Sequence, residues 1–250
     1  MKIAAVCITW KEPRVVRVVE SFLRQSHPDR ELIILDDAGW YPKQPRGDRW
    51  RVVSIDRRFV SLGAKRNAAA ALASSDCDAF AVADSDDLYL PHWLASVDAA
   101  LQTSAWAMPT QALEWNADGS WRRVRTWAGS PVYRAYHGGW AYTRNAFELV
   151  GGYPMWGEDD IPLASKLLAN FGPASDTISD AFPDPYYAYS RGMGHISEDY
   201  IRLSRERPDY HREAYRLKGL DRAATVPLVV GWDRDYSALS IPDEVFPRPW

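Results

Sequence analysis

The chain has 250 residues, enough to bury a full core as one domain or as two tightly joined lobes. A hydrophobic fraction of 46%, a charged fraction of 25% and a net charge of −3 are ordinary for a globular protein and give no bulk electrostatic case for nucleic acid. The two cysteines, Cys7 and Cys77, sit in or beside apolar runs, offer neither a disulfide framework nor metal-ligand spacing, and fit a reducing, cytoplasmic setting.

Residues 3–8 are continuously apolar, which predicts a strand buried on both faces of a parallel sheet. A loop, Thr9-Trp10-Lys11-Glu12, follows. Pro13 suits a helix start, and Val15, Val18, Val19, Phe22 and Leu23 recur at helical spacing. Residues 31–35 predict a second strand ending in Asp36-Asp37, residues 40–47 a loop, and residues 51–55 a third strand. Gly63 opens an Ala-rich helix over 64–73 with Lys65, Arg66 and Asn67 in its first turn. A fourth strand, 79–83, runs into Asp84-Ser85-Asp86-Asp87, and Pro91 starts a helix through Leu101. Strand–helix alternation over these hundred residues predicts a doubly wound, mainly parallel sheet.

The second half reads differently. Residues 106–115 and 121–127 look like strands joined by a hairpin turn at 116–119, with Pro109 making the first an edge strand or one that starts late. His137-Gly138-Gly139-Trp140 is a strand entry or a tight approach to a ligand. Thr143 is a candidate N-cap for a short helix ending at Gly151-Gly152. Gly157-Glu158-Asp159-Asp160 precedes a helix over 161–170, residues 186–190 predict a last strand, Ser197 caps a charged helix broken at Pro208, and a Pro- and Trp-rich tail begins at Ala223. The expected division is one domain with a first lobe, 1–103, a second, 104–200, and a C-terminal helix and wrapping tail, 201–250. No apolar stretch approaches the ~20 residues of a membrane span, and the N-terminus has no signal-peptide pattern.

The chemistry concentrates after strand 79–83. Three carboxylates within four residues repel one another unless a positive charge sits among them, and a hard divalent cation with oxygen ligands, Mg²⁺ or Mn²⁺, is the natural partner. A solvated acidic turn capping the next helix is the alternative. A calcium EF-hand is excluded: counted from Asp84, the fifth, sixth and twelfth positions are Leu88, Tyr89 and Ala95, where that loop needs an oxygen ligand, a Gly and a Glu. Gly192-Met193-Gly194 lacks the third Gly of a dinucleotide fingerprint. The acidic and basic groups after the first, second and fourth strands and at the start of the second helix converge on one sheet edge, where open α/β sheets bind ligands.

The ordered set Thr9-Trp10-Lys11-Glu12, Asp36-Asp37, Gly63-Ala64-Lys65-Arg66-Asn67, Asp84-Ser85-Asp86-Asp87, Gly151-Gly152-Tyr153 and Gly157-Glu158-Asp159-Asp160 resembles a family 2 glycosyltransferase of the GT-A fold over residues 1–200. Many members place the Gly five residues before the Arg-Asn pair; here it is three before. The Gln-x-x-Arg-Trp motif of processive members is absent, which argues for single sugar addition.

The resemblance implies an inverting transfer of one sugar from a nucleotide sugar, UDP-linked by preference, to a hydroxyl acceptor: a glycan, lipid-linked sugar, protein side chain or modified base. It implies Asp86 as a metal ligand, Asp84 on the ribose or the metal, and His195 completing the metal site or touching the diphosphate. It implies Asp159 as general base with Glu158 orienting acceptor or base. Asp36, Asp37, Thr9, Trp10, Glu12, Lys65, Arg66 and Ser85 fall to nucleotide-sugar binding. Asp87 is either a second ligand or a helix N-cap, Trp10 stacks on the base or packs under its loop, and Trp140 and Trp156 are sugar platforms or core. A non-catalytic sugar- or nucleotide-binding domain of the same fold is the alternative. A sugar-phosphate nucleotidyltransferase fits less well, because the first loop has no Gly.

Overall fold

The computed structural model describes residues 1–10, 12, 15–41, 43–115, 121–125, 137–155 and 160–190. The expected turn at 116–119, Pro13, Trp156, the helix after Ser197 and the tail from Ala223 lie outside them.

The uncharged run at the start becomes β1 (Ile3–Thr9), buried along its whole length. It pairs in parallel with β2 (Arg30–Asp36) on one side and β5 (Ala79–Asp84) on the other, and β2 continues in parallel to β4 (Trp50–Ser54). With β3 (Arg46–Gly47), β7 (Trp106–Met108), β10 (Ala141–Thr143) and β11 (Ser175–Asp176), these form an eight-stranded sheet in the order β11-β7-β10-β5-β1-β2-β4-β3. Only β3 and β10 run against their neighbours. The chain winds from β1 through β2 to β4, then returns past β1 to β5, so the order reverses between β1 and β5. That switch point opens a crevice at the carboxyl ends of the strands.

Alternation along β1 divides the core. Ile3, Ala5 and Cys7 face α1 (Val15–Leu23) and α3 (Trp93–Leu101), whereas Ala4, Val6 and Ile8 face α2 (Leu62–Ala71), α4 (Arg144–Leu149) and α5 (Asp160–Phe171). On α1 the buried residues Val15, Val18, Val19 and Phe22 keep the expected helical spacing, while Leu23 is exposed. Thr143 caps α4, its hydroxyl accepting from Ala146 N, and Gly151 and Gly152 end that helix with positive φ.

The structure corrects the sequence reading at two places and narrows two alternatives that it left open. Residues 106–115 are not one strand. Pro109 has no N–H to donate, and the chain changes sheets there: β7 stays in the large sheet, while β8 (Gln111–Trp115) joins a second sheet, β6-β12-β8-β9, with β6 (Leu88–Tyr89), β12 (Tyr187–Ser190) and β9 (Trp121–Arg125). The second helix begins at Leu62, capped by the Ser61 hydroxyl on Ala64 N at 3.0 Å, so Gly63 lies inside its first turn. Asp87 does not cap α3, whose N-cap is His92. Trp140 is 2% exposed and packs edge-on to the buried Trp106, so it is core and not a platform for sugar.

Candidate functional site

The parallel register sets the site. Thr9 is level with Asp36 across β1 and β2, Asp36 with Ser54 across β2 and β4, and Ile8 with Asp84 across β1 and β5. Three strand ends therefore deliver Thr9, Asp36-Asp37 and Asp84 to one edge, and α2 brings Lys65 and Arg66 to the same place.

Asp36 is fully buried and organises the loop after β2, accepting from Ala38 N (3.3 Å), Trp40 N (2.8 Å) and Ser54 Oγ (2.7 Å). Asp37 accepts from Lys65 Nζ (2.5 Å), Arg58 (3.2 Å) and Phe59 N (3.3 Å). The Lys65 ammonium also donates to the Thr9 carbonyl at 2.5 Å, which ties α2 to the ends of β1 and β2. Burial pulls the Lys65 pKa below its ordinary value, and the bond to Asp37 opposes that shift. Lys65 therefore spans two strand ends. Trp10 is 39% exposed at the mouth, with the Arg58 guanidinium 4.7 Å from its ring centroid. The Glu12 carbonyl accepts from the Tyr41 hydroxyl at 3.2 Å, which holds the first loop against the second.

At the end of β5 Asp84 is partly exposed, and in the turn after it Ser85 is partly buried and Asp86 and Asp87 are each 1% exposed. Arg66 reaches Asp84 Oδ1 at 3.4 Å while lying over the Tyr153 ring at 5.8 Å. The Tyr89 hydroxyl accepts from Asp84 N at 2.7 Å, and the Tyr187 hydroxyl donates to Asp87 Oδ2 at 2.5 Å. Gly138 passes so close that a Cβ there would meet Asp84 Oδ2 at 2.6 Å, so only Gly leaves that oxygen room. Below the carboxylates, burial and the charges of Asp84 and Asp86 push the Cys7 thiol well above its ordinary range, so it is no nucleophile.

Carboxylate oxygens suit a hard divalent cation, and such ions are commonly held by one or two carboxylates together with substrate phosphates. Asp84 and Asp86 fit that pattern. Among the described residues, no group of three His, Cys, Asp or Glu side chains is arranged to hold a metal by itself. Glu158, Asp159 and His195 lie outside the described residues.

The sequence profile described as "Glycosyl transferase family 2" matches residues 5–137, more than half of the chain. The chain belongs to glycosyl transferase family 2. No curated protein matches it. Among solved structures, this family 2 chain is similar to S. aureus TarS 1-349 in complex with UDP-GlcNAc: TM-score 0.56, 17% identity, 82% of this chain and 65% of that one. It is also similar to the mannosyltransferase PcManGT from Pyrobaculum calidifontis in complex with GDP-Man and Mn²⁺: TM-score 0.55, 17% identity, 86% of this chain and 69% of that one. Against full TarS the shares are 87% and 39%, so this chain spans less than two thirds of the TarS structures in complex with UDP-GlcNAc and at full length. These likenesses establish the GT-A fold, in agreement with the sheet described above. No described helix is long and apolar enough to cross a membrane.

Sequence reasoning gave no role to several residues around this candidate site. Arg58 sits between Asp37 and Trp10. His137, Tyr142 and Tyr153 form a chain of bonds, with Tyr153 Oη 2.5 Å from Tyr142 Oη and 2.8 Å from His137 Nε2. Burial, reinforced by Arg66, pushes the His137 pKa well below its ordinary value, so the ring is neutral at neutral pH. Nothing in local periodicity distinguishes these side chains from core. The one usable signal was Gly138-Gly139 beside His137, a place where backbone approaches something closely.

Proposed function

We propose that the chain is an inverting, metal-dependent glycosyltransferase that moves one sugar from a nucleotide sugar, UDP-linked by preference, to a hydroxyl acceptor. The observation that carries this reading is the meeting of Thr9, Asp37, Lys65, Arg66, Asp84 and Asp86 at the reversal of strand order. The family match and the nucleotide sugars bound to TarS and PcManGT support it. The preference for UDP rests on the resemblance, since the two neighbours hold different nucleotides. Residues 1–103 act as the donor lobe and 104–200 as the acceptor lobe of one domain; Cys7 and Cys77 fit a reducing, cytoplasmic setting.

Thr9, Trp10, Glu12, Asp36 and Asp37 take the nucleoside, and Ser85 joins them in nucleotide-sugar binding. Asp86, with Asp84 and His195, would hold Mn²⁺ or Mg²⁺, and that ion, when bound, would offset the charge that builds on the departing diphosphate. Arg66 adds a second cation at that oxygen cluster through its fork of donors, and Lys65 fixes the strand ends beneath it. Asp159 accepts the proton of the acceptor hydroxyl while that oxygen bonds to the anomeric carbon. The bond from that carbon to the diphosphate oxygen breaks, and the electron pair leaves with the nucleoside diphosphate. Glu158 orients the acceptor. A carboxylate at a helix N-terminus stays ionised readily, which suits a base just before α5.

Asp159→Asn tests the assignment. It is expected to lower sugar transfer by about 10²–10⁴-fold, the usual worth of a positioned general base, while leaving nucleotide affinity unchanged. Transfer at the wild-type rate removes Asp159 from the mechanism.

A further inference from the structure

We infer that Asn67 is a positioning residue that fixes the donor-binding helix to the chain carrying the general base. The inference rests on the transferase reading above. Arg66 and Asn67 are neighbours on α2 and point to different partners. Arg66 turns to Asp84. Asn67, one turn after Gly63 on the same helical face, turns to the loop after α4. There its amide makes a two-point clamp: Nδ2 donates to the Tyr153 carbonyl at 2.9 Å, and Oδ1 accepts from Tyr153 N at 2.9 Å.

The joint has no slack. A Cβ on Gly152, whose φ is +65°, would meet Asn67 Oδ1 at 2.6 Å, and a Cβ on Gly63 would meet the Pro154 carbonyl at 2.0 Å. The far side of the loop is held as well, because Lys166 of α5 donates to the Val150 carbonyl at 3.1 Å. The chain from Met155 to Asp160, which carries Glu158 and Asp159, is thus bounded by a loop clamped to α2 at one end and by the first residue of α5 at the other. Tyr153 adds a second link, since its ring lies under Arg66. One side chain therefore ties the helix that carries Lys65 and Arg66 to the loop from which the chain leads toward Glu158 and Asp159.

A positioning role separates catalysis from binding. Asn67→Ala is expected to leave the dissociation constant for nucleotide with Mn²⁺ within about threefold. It is expected to lower kcat for metal-dependent hydrolysis of the preferred nucleotide sugar by about 100-fold, the penalty of a misplacement near 1 Å. Amide exchange in peptides over 150–162 should rise while exchange in β1 and β5 stays at wild type. Asn67→Asp keeps the acceptor for Tyr153 N but sets an oxygen against the Tyr153 carbonyl, and the same pattern is expected should the alanine variant fail to fold. An unchanged kcat, or a fall in kcat matched by an equal fall in nucleotide affinity, overturns the inference. Wild-type protein that turns over no nucleotide sugar contradicts the transferase reading instead, and the exchange comparison then decides the clamp by itself.

Discussion

Replacing Asp86 by Asn is expected to reduce sugar transfer by about 1,000-fold, roughly 4 kcal/mol of lost stabilisation of the departing charge. The residue is 1% exposed in the turn after β5. The amide keeps the shape and removes one of three neighbouring negative charges, so the melting temperature without metal is not expected to fall. The stabilisation by nucleotide plus Mn²⁺ should disappear in the same variant. Steady-state rates over a Mn²⁺ titration check this. A variant that retains both rate and metal response places the cation elsewhere.

Gly63→Ala is expected to destabilise the protein by about 2 kcal/mol or more, although alanine is the better helix former by about 1 kcal/mol. The added methyl would stand 2.0 Å from the Pro154 carbonyl and 3.3 Å from Tyr153 Cβ, and backbone on both sides must separate to admit it. For a chain of this size that corresponds to a melting-point fall of roughly 4–8 °C. Gly151 is the control: a Cβ there meets nothing within 4 Å, and only its φ of +76° opposes alanine, so the loss is expected to be about 1 kcal/mol. A Gly63→Ala protein that melts at or above the wild type would show that α2 does not press on this loop.

Much of the first half was legible because its signals are local. The uncharged run of β1, the helical spacing of Val15, Val18, Val19 and Phe22, and carboxylates arriving together after Ala83 each follow from a few consecutive residues. Parallel pairing then brings Thr9, Asp36 and Asp84 level without further information. What was missed depends on distant partners. Lys65 reads as a first-turn cation, and only the tertiary fold puts the Thr9 carbonyl and Asp37 within its reach. Gly63 reads as a helix opener until Pro154 lies against it. Residues 106–115 read as one strand because apolar residues recur on both sides of Pro109, although β7 and β8 belong to different sheets. The two-residue β6 is too short to show any period and exists because β12 pairs with it.

The central claim is a metal-dependent nucleotide site at the ends of β1, β2 and β5. Melting curves with UDP, GDP, CDP, dTDP and ADP, each with and without Mn²⁺, test it most directly. A nucleotide at about 100 times its dissociation constant adds roughly 2.7 kcal/mol of stability, a rise of about 5–10 °C here. The account predicts such a rise for one nucleotide, UDP by preference, only with Mn²⁺ and absent from Asp86→Asn. No rise with any nucleotide in the presence of Mn²⁺ would contradict it.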